Sequence, residues 1–277
     1  AASLGPAEAG AKGAAAGGAA AAAAAAVAAE TSAQAEAADD AAAAAAATAA
    51  RGCAEAALEA QCASQPHLVD NEVCGNAKAG VHLRGGACAL VEGNTVRAGG
   101  GAGIVVSEGA AAVLRRNDVS GHPRGEVHVL CGGDDGAAAA AAAGGGALLE
   151  GNRVHDSGGG GVLVSGCAAG GCTLRANDVF GNAAAGVRVC DGAAPLLERN
   201  TLRDGGDCGV VVCAGCAPLL RDNEVTRNAK AGVIAHGSGA APTLVANRLL
   251  RGLQAGAYFY DGAAGIVHRN EIAANSG

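Results

Sequence analysis

The sequence predicts an all-β fold, a single-stranded right-handed parallel β-helix that forms a solenoid of about nine rungs. Three observations predict it: an asparagine that recurs at near-constant spacing, short alternating apolar pairs on both sides of it, and a shortage of large side chains. The 277 residues include 47 Gly but only two Phe and two Tyr, and Trp and Met are absent. A narrow interior filled by Val, Leu, Ile and Ala explains this composition.

The asparagine repeat sets the length of one rung. Successive members are 23 to 25 residues apart, except for one step of 35 residues. Self-similarity at a fixed period of this size indicates a stacked repeat architecture. Because asparagine readily adopts left-handed backbone and stacked amides bond to one another, we expect a structural ladder at one turn. Its members are Asn71, Asn94, Asn117, Asn152, Asn177, Asn200, Asn223, Asn247 and Asn270.

Apolar residues stand at fixed offsets from each asparagine and define three short strands per rung. They occur three residues before it and two, ten and twelve residues after it, as around the fifth member: Leu174, Val179, Val187 and Val189. Alternation with a period of two residues indicates a strand. Glycine stands nine residues after the asparagine, with Glu126 as the exception. One rung cannot bury its own apolar face, so the rungs are expected to stack in three parallel sheets.

The repeat does not cover the whole chain. Residues 1–62 form a low-complexity, alanine-rich leader. We expect it to be helical or disordered, because alanine favours helix but buries little surface. Residues 63–277 are the predicted β-helix. The long step of 35 residues holds an insertion rich in alanine and glycine at 132–146, which we expect to be a loop that projects from one turn.

Charge and composition exclude two classes of partner. The formal net charge is −7 and aromatic residues make up 1% of the chain, whereas nucleic-acid surfaces need a basic field or stacking aromatic side chains. No stretch is long and apolar enough to predict a membrane span. Acidic and basic residues instead alternate two positions before the asparagine, where opposite charges would pair between rungs. They are Glu92, Arg115, Glu150, Arg175, Glu198 and Arg221.

Two stretches carry a resemblance to a known superfamily: residues 195–202 (PLLERNTL) and residues 223–234 (NEVTRNAKAGVI). They resemble the parallel β-helix repeats of the pectin-lyase-like superfamily. Within it they look most like non-enzymatic members, namely the β-helix region of F-box-only ubiquitin-ligase adaptors and the NosD-like proteins. The resemblance to these members implies a protein-recognition function. The carbohydrate-binding and sugar-hydrolysing members of the superfamily imply the alternative.

The residue eleven positions after each asparagine is predicted to lie on the outer side of a strand. Members of this column are our candidates for partner binding: His82, His128, Arg188, Val211, Ile234 and Tyr258. No carboxylate occurs in the column from His82 onward, whereas glycoside hydrolysis usually needs two carboxyl groups. The sequence therefore favours a module without catalytic activity. The exposed apolar members also fit a covering segment of the same chain, such as the leader.

Eleven cysteines are an odd number, so they cannot all pair within the chain. Cys190, Cys213 and His236 share one column on three successive rungs, and Cys216 completes a CxxC with Cys213. Zinc sites normally need four ligands with two short paired spacings, so these residues are weak metal candidates, and we predict no cofactor. Free thiols and the lack of a glycosylation sequon favour an intracellular location, cytoplasmic or nuclear.

Two main functional hypotheses follow from the sequence. The first is recognition of a protein partner, such as a ubiquitin-ligase substrate, along a flat sheet face by a module without catalytic activity. The alternative is a β-helix protein that binds or modifies a polysaccharide. A third hypothesis uses the column of Cys190, Cys213 and His236 as a metal site.

Overall fold

The computed structural model describes residues 58–60, 64–131 and 146–277, and these residues form twenty-seven β-strands and no α-helix. The strands make three nine-stranded sheets, each of which takes every third strand along the chain. Neighbouring strands in a sheet are parallel. The predicted all-β parallel β-helix of about nine rungs is confirmed. The rest of the predicted leader and residues 132–145 of the predicted insertion lie outside the described residues.

Sheet 1 contains the strand that begins ten residues after the asparagine in a regular rung. Its strands are three or four residues long. In order along the sheet they are β1 (Leu58–Ala60), β4 (Val81–Leu83), β7 (Ile104–Ser107), β10 (Val127–Leu130), β13 (Val162–Ser165), β16 (Val187–Cys190), β19 (Val210–Val212), β22 (Val233–His236) and β25 (Ala257–Tyr260).

Sheets 2 and 3 lie before and after the asparagine turn of each rung. Sheet 2 contains β2 (His67–Val69), β5 (Cys88–Glu92), β8 (Ala111–Arg115), β11 (Gly146–Glu150), β14 (Cys172–Arg175), β17 (Leu196–Glu198), β20 (Leu219–Arg221), β23 (Thr243–Val245) and β26 (Ile266–His268). Sheet 3 contains β3 (Glu72–Cys74), β6 (Thr95–Arg97), β9 (Asp118–Ser120), β12 (Arg153–His155), β15 (Asp178–Phe180), β18 (Thr201–Arg203), β21 (Glu224–Thr226), β24 (Arg248–Leu250) and β27 (Glu271–Ala273).

The interior is a narrow column of small aliphatic side chains. Leu174, Val179, Val187 and Val189 of one rung are all at most 1% exposed. Close approach between rungs explains why glycine precedes most sheet 1 strands. A Cβ on Gly209 would stand 2.3 Å from Val225 Cγ1 and 2.7 Å from a backbone oxygen of the next rung. The spacing of neighbouring rungs therefore leaves no room for a side chain at Gly209, and Glu126 is the exception to the glycine column.

The asparagine of each rung lies at the turn between sheets 2 and 3. The side-chain Nδ2 of Asn177 donates to Oδ1 of Asn200 at 2.9 Å, and the backbone N–H of Asn177 donates to the same oxygen at 3.0 Å. Nδ2 of Asn177 also donates to the carbonyl of Leu149 at 2.9 Å. Eight equivalent amide–amide bonds join Asn71 to Asn270 through the intervening members. Each rung is thus tied to the next through buried polar groups.

Charged residues of sheet 2 pair between rungs. Arg175 lies between Glu150 and Glu198, with nitrogen–oxygen distances of 3.8 and 3.2 Å. Glu198 also contacts Arg221 on its other side. Glu92, by contrast, pairs with Arg116 of the adjoining turn instead of Arg115. Most charged residues of this sheet 2 column therefore pair with each other, as the sequence predicts, and Glu92 is the exception.

A second polar column lies five residues after each asparagine and alternates large with small side chains. Oδ1 of Asn182 accepts from the backbone N–H of Ser157 at 3.1 Å, and Oδ1 of Asn228 accepts from the N–H of Gly205 at 3.1 Å. The same contact joins Gly252 to Asn275 at 2.8 Å. Each asparagine of this column thus occupies space beside a Ser or Gly on the preceding rung. Because small and large side chains alternate in this way, the column has a period of two rungs.

A disulfide joins Cys131 to Cys167 across adjacent rungs, with a Cα–Cα distance of 4.9 Å. Seven further cysteines of the described residues are free thiols. In the part of the chain that the structure describes, no helix has the length and apolar character needed to span a bilayer.

Candidate functional site

The six candidate partner-binding residues lie on one surface of sheet 1. The second residue of each strand points outward there, because its neighbours on both sides point into the core; Val187 and Val189 are buried while Arg188 is exposed. We call this surface the outer row. In register along the sheet, it runs through Glu59, His82, Val105, His128, Leu163, Arg188, Val211, Ile234 and Tyr258.

Glu59 is a member of the outer row that the sequence analysis missed. It lies in β1, which belongs to the segment assigned to the leader, so the repeat alignment did not reach it. Its carboxylate pairs with Arg84 at 2.5 Å. The row therefore does contain a carboxylate, but at its first rung and already paired with a cation.

Two half-buried histidines in the outer row are held neutral at ordinary pH. His82 Nε2 lies 3.0 Å from Ser107 Oγ, and burial, helped by nearby Arg84, lowers the pKa of His82. His128 Nε2 lies 3.1 Å from the carbonyl oxygen of Arg124. Because a carbonyl only accepts, Nε2 of His128 carries the proton and Nδ1 bears a free lone pair. Burial also lowers the pKa of His128.

Arg188 is the exposed cation at the middle of the outer row. Its neighbours on the adjacent strands are Leu163 and Val211. Within the described ranges, no ion pair or hydrogen bond engages its guanidinium group. The nearest acidic residue in sequence, Asp191, accepts a hydrogen bond from Ser165 Oγ at 2.5 Å. Asp191 and Gly192 form a tight turn, because both have positive φ angles, 56° and 72° respectively. The positive charge of Arg188 is thus available to a ligand.

Three aromatic rings stack at the C-terminal end of sheet 1. Tyr258 and Tyr260 have ring centroids 5.2 Å apart, and Tyr260 stacks on His236 at 5.5 Å. Both tyrosines are exposed, by 51% and 42% respectively. Aromatic faces are concentrated here in a chain with four Phe and Tyr residues in total, so this end of the surface offers a flat apolar platform with polar edges.

The weak metal candidates do not form a metal site in the described part of the chain. No group of three His, Cys, Asp or Glu side chains is arranged there to hold a metal ion. Cys216 is fully buried in the core, while Cys190 and Cys213 are half-buried. His236 instead stacks on Tyr260. Cys190, Cys213 and His236 therefore lie on successive rungs, but the described residues contain no cluster of three metal-ligating side chains.

Sheet 3 carries a charged and aromatic cluster that the sequence analysis did not find. Phe180 lies between His155, stacked at 4.6 Å, and Arg203, whose guanidinium carbon is 4.2 Å from the ring centroid. His155 also contacts Asp118 at 2.9 Å, and Arg203 contacts Asp178 at 2.8 Å. Aligning the column three residues after each asparagine would have revealed it. Because its charged members are paired with each other, it offers less to a ligand than the outer row.

A buried His–Glu pair also escaped the sequence analysis. His122 and Glu126 are at most 1% exposed, and Glu126 occupies the position that is glycine in the other rungs. The backbone N–H of His122 donates to Glu126 Oε1 at 2.9 Å, and Nδ1 of His122 contacts Oε2. Glu126 thus accepts from the backbone and pairs with Nδ1 of His122, while the buried Nε2 of His122 has no hydrogen-bond partner among the described residues.

The fold defines the class of the protein, the right-handed parallel β-helix, and the outer row is its candidate ligand-binding surface. A family model described as "Right handed beta helix region" matches residues 56–249. The chain belongs to this right-handed β-helix family. No curated protein matches the sequence.

Solved structures with the same fold include epimerases. The periplasmic alginate epimerase AlgG superposes with a TM-score of 0.65 at 16% identity, covering 76% of this chain and 50% of that one. A double mutant of AlgG gives 0.61 at 14% identity, with 78% and 62% covered. The A-module of mannuronan C-5 epimerase AlgE4 from Azotobacter vinelandii gives 0.52 at 12% identity, with 81% and 77% covered. This chain therefore spans about half the length of AlgG.

These comparisons correct one expectation and leave another without support. The intracellular location is contradicted, because the similar AlgG structures are of a periplasmic protein. The Cys131–Cys167 disulfide agrees with that correction, since disulfides persist in oxidising compartments. The ubiquitin-ligase hypothesis and its protein partner receive no support, and the neighbours favour the carbohydrate alternative.

Proposed function

We propose that the outer row binds a linear acidic polysaccharide of the uronate class. The observation that carries this proposal is Arg188, an exposed cation that no carboxylate of the described residues neutralises, in the middle of a straight row of side chains. Alginate and mannuronan, named in the neighbouring epimerases, are polymers in which each sugar carries a carboxylate. A guanidinium group binds a carboxylate through two parallel hydrogen bonds.

The shape of the outer row fits an extended polymer. It presents one side chain per rung at intervals of about 4.8 Å, so a chain laid along the rod meets a regular series of contacts. Val211 and Ile234 form a half-buried apolar stretch between Arg188 and Tyr258. The exposed rings of Tyr258 and Tyr260 can pack against the apolar faces of sugar rings. Charge and aromatic contacts would thus act at separate points of one ligand.

Binding is a better-supported function than turnover. Epimerisation next to a carboxylate needs one group to remove the proton and another to return it on the opposite face. His128 has a free Nδ1 lone pair that suits the first role. In the described part of the outer row, however, the residues that flank Arg188 are Leu163 and Val211, which transfer no protons. Epimerase activity is therefore the second candidate function, and His128 is the residue of the outer row that favours it.

The proposed ligand also suits a location outside the cytoplasm. A disulfide such as Cys131–Cys167 is stable in the oxidising environment of the cell exterior or the periplasm, where a uronate polymer of the cell envelope would be met. We therefore include a periplasmic or extracellular location in the proposal.

The experiment measures binding of the whole chain to alginate by isothermal titration calorimetry, with uncharged dextran as the neutral polymer. We expect binding to alginate that weakens as salt is raised, because an exposed charge pair is screened. Arg188→Gln should weaken alginate binding about tenfold, equivalent to about 1.4 kcal/mol. Proton NMR of the recovered polymer tests the second candidate function in the same samples.

The matched control is Arg199→Gln. Arg199 is also exposed but lies at the turn between sheets 2 and 3, away from the outer row, and the substitution removes the same charge. It should change the affinity less than twofold. Equal losses in the two variants would show attraction by overall charge, and unchanged affinity in Arg188→Gln would overturn the proposed binding surface.

A further inference from the structure

Two free thiols occupy equivalent positions on adjacent rungs of sheet 1. Cys190 ends β16, and Cys213 directly follows β19. The strands are in register, with Val189 opposite Val212, and the backbone N–H of Cys213 donates to the carbonyl of Val189 at 2.9 Å. Both side chains are half-buried, and Cys213 packs partly against the core. The two thiols lie close enough that Cys213 contributes to the raised pKa of Cys190.

The separation of these two residues suits a disulfide. Adjacent parallel strands lie about 4.8 Å apart, and disulfides span Cα–Cα distances of roughly 4.4–6.8 Å. The bond between Cys131 and Cys167 already joins two adjacent rungs after sheet 1 strands, with Cα atoms 4.9 Å apart. The fold thus accommodates one inter-rung disulfide in this part of the rung without departing from its regular spacing.

Cys190 and Cys213 are the two cysteines of their column on adjacent rungs. In the same column, the preceding rung has Ser165 and the following rung has His236. Cys216 is near in sequence, but it is fully buried, and its thiol approaches the carbonyl of Ala214 at 3.6 Å. Cys213 and Cys190 are both half-buried, so a small reagent can reach them from solvent. Cys216 also interacts with Cys213, so it is the competing thiol that the experiment has to separate from Cys190.

We propose that Cys190 and Cys213 form a second inter-rung disulfide when the chain meets a low-molecular-weight disulfide such as oxidised glutathione. One cysteine thiolate attacks the reagent and releases one thiol, which leaves a mixed disulfide on the protein. The second cysteine thiolate then attacks the protein sulfur and releases the second thiol. Two protein thiols are oxidised and the reagent is reduced to two thiols, so atoms and electrons balance. This inference does not depend on the proposed polysaccharide binding.

The local environment makes this oxidation slow at neutral pH. Burial raises the pKa of the Cys190 thiol to about 11, with nearby Asp191 and Cys213 acting in the same direction. Since the thiolate is the reacting form, the rate of bond formation should increase as the pH rises from about 7 to about 9.

The test is a peptide map of the whole chain after treatment with oxidised glutathione at a pH of about 8.5, where more of each thiol is ionised. The remaining thiols are alkylated and the chain is digested with trypsin without reduction. Cleavage after arginine gives residues 189–199, which contain Cys190, and residues 204–221, which contain Cys208, Cys213 and Cys216. We expect these two peptides to be linked, with fragmentation placing the bond on Cys213. The Cys131–Cys167 link serves as an internal reference.

Three variants separate this pairing from the alternatives. Cys190→Ala and Cys213→Ala should abolish the link, whereas Cys216→Ala should retain it. The last variant is expected to fold, because alanine already occupies the equivalent buried position one rung before and one rung after, at Ala193 and Ala240. Oxidation should also raise the melting temperature of the wild-type chain and leave that of Cys190→Ala unchanged. A link to Cys208 or Cys216, or no link in oxidised wild type, overturns the proposal.

Discussion

At the scale of single residues, the buried asparagines show how strongly one side chain can be specified by its contacts. Oδ1 of Asn200 accepts from the N–H and the Nδ2 of Asn177, at 3.0 and 2.9 Å. Its Nδ2 donates to the carbonyl of Leu174 at 2.9 Å and to Oδ1 of Asn223 at 3.0 Å. No other side chain of this size both donates twice and accepts twice in these directions. The residue is therefore fixed by hydrogen-bond direction as well as by volume.

Replacing Asn200 by Asp should destabilise the protein although the shape hardly changes. Aspartate loses both Nδ2 donors, so the carbonyl of Leu174 loses a hydrogen bond and the carboxylate faces Asn223 Oδ1, which keeps only the backbone N–H of Asn200. An unsatisfied buried polar group costs about 1–3 kcal/mol, and more when it is charged. We expect the free energy of unfolding to fall by about 3 kcal/mol or more, as measured by urea denaturation. The matched control is Asn270→Asp, at the partly exposed last member, where water can solvate the charge and the loss should be smaller. Equal losses at both positions would contradict this account.

Sequence analysis predicted some of these residues and missed others for physical reasons. The asparagine column is visible because every rung repeats it. The column of Asn182 and Asn228 alternates with Gly and Ser, so a search for identity between successive rungs does not detect it. The pair of His122 and Glu126 is visible only as two exceptions in separate columns. Contacts within one rung leave no periodic signal in the sequence.

At the scale of elements, the strands of sheet 2 are coupled by charge as well as by backbone hydrogen bonds. Glu198 on β17 lies between Arg175 on β14 and Arg221 on β20, and its side chain is 7% exposed. The hydrogen bond from Arg221 outweighs the opposing effect of burial and lowers the pKa of Glu198. This carboxylate is thus held ionised by the strands on both sides of it.

The stability that Glu198 contributes should depend on pH in a defined direction. Because the folded pKa is below the ordinary value of 4.5, the contribution is complete above about pH 4.5 and is lost as the pH falls through the lowered pKa. Glu198→Gln should therefore reduce the free energy of unfolding at neutral pH by about 1 kcal/mol, the size expected for a pair that solvent partly screens. The difference from wild type should shrink towards a pH of about 3. Urea denaturation at the two pH values measures it.

Glu72→Gln provides the matched control for this prediction. Glu72 pairs with Arg97 on sheet 3, but its side chain is 49% exposed, and exposed pairs contribute little. We expect Glu72→Gln to lower the free energy of unfolding at neutral pH by less than half as much as Glu198→Gln does. A larger effect at Glu72, or a difference at Glu198 that grows as the pH falls, would show that ion pairing between the sheet 2 strands is not the cause.

At the scale of the whole molecule, the sequence predicted the architecture and the residues of the outer row. It did not predict which charged side chains have a partner. Period-two apolar pairs and a constant repeat length determine which residues stack, and the members of the outer row lie in register as their spacing suggests. Whether each charge already has a partner depends on rotamers and turns. The sequence therefore could not distinguish the unpaired Arg188 from the paired Arg203 of sheet 3.

The two-rung period of the second polar column predicts that removing two rungs is tolerated better than removing one. Deletion of residues 178–223 joins Asn177 to Glu224 and places Ser157 beside Asn228, as it now lies beside Asn182. Deletion of residues 178–200 instead places Ser157 beside Gly205 and Arg175 beside Arg221. That leaves a gap in the column and opposes two like charges, which destabilises a strand pair.

We therefore expect the two-rung deletion to melt cooperatively, and at a higher temperature than the one-rung deletion, in circular dichroism. Small-angle X-ray scattering should show a two-rung shortening of about 10 Å, since each rung adds about 4.8 Å. A one-rung deletion that is as stable as the two-rung deletion would contradict the two-rung period.

The buried asparagine amides all point the same way. In each of the eight bonds between Asn71 and Asn270, Nδ2 of the earlier residue donates to Oδ1 of the later one. Bond dipoles aligned head to tail polarise one another and add. The molecule consequently carries a permanent axial moment within its interior, with the positive pole towards Asn270, and its two ends are electrically distinct even where their surface charges balance.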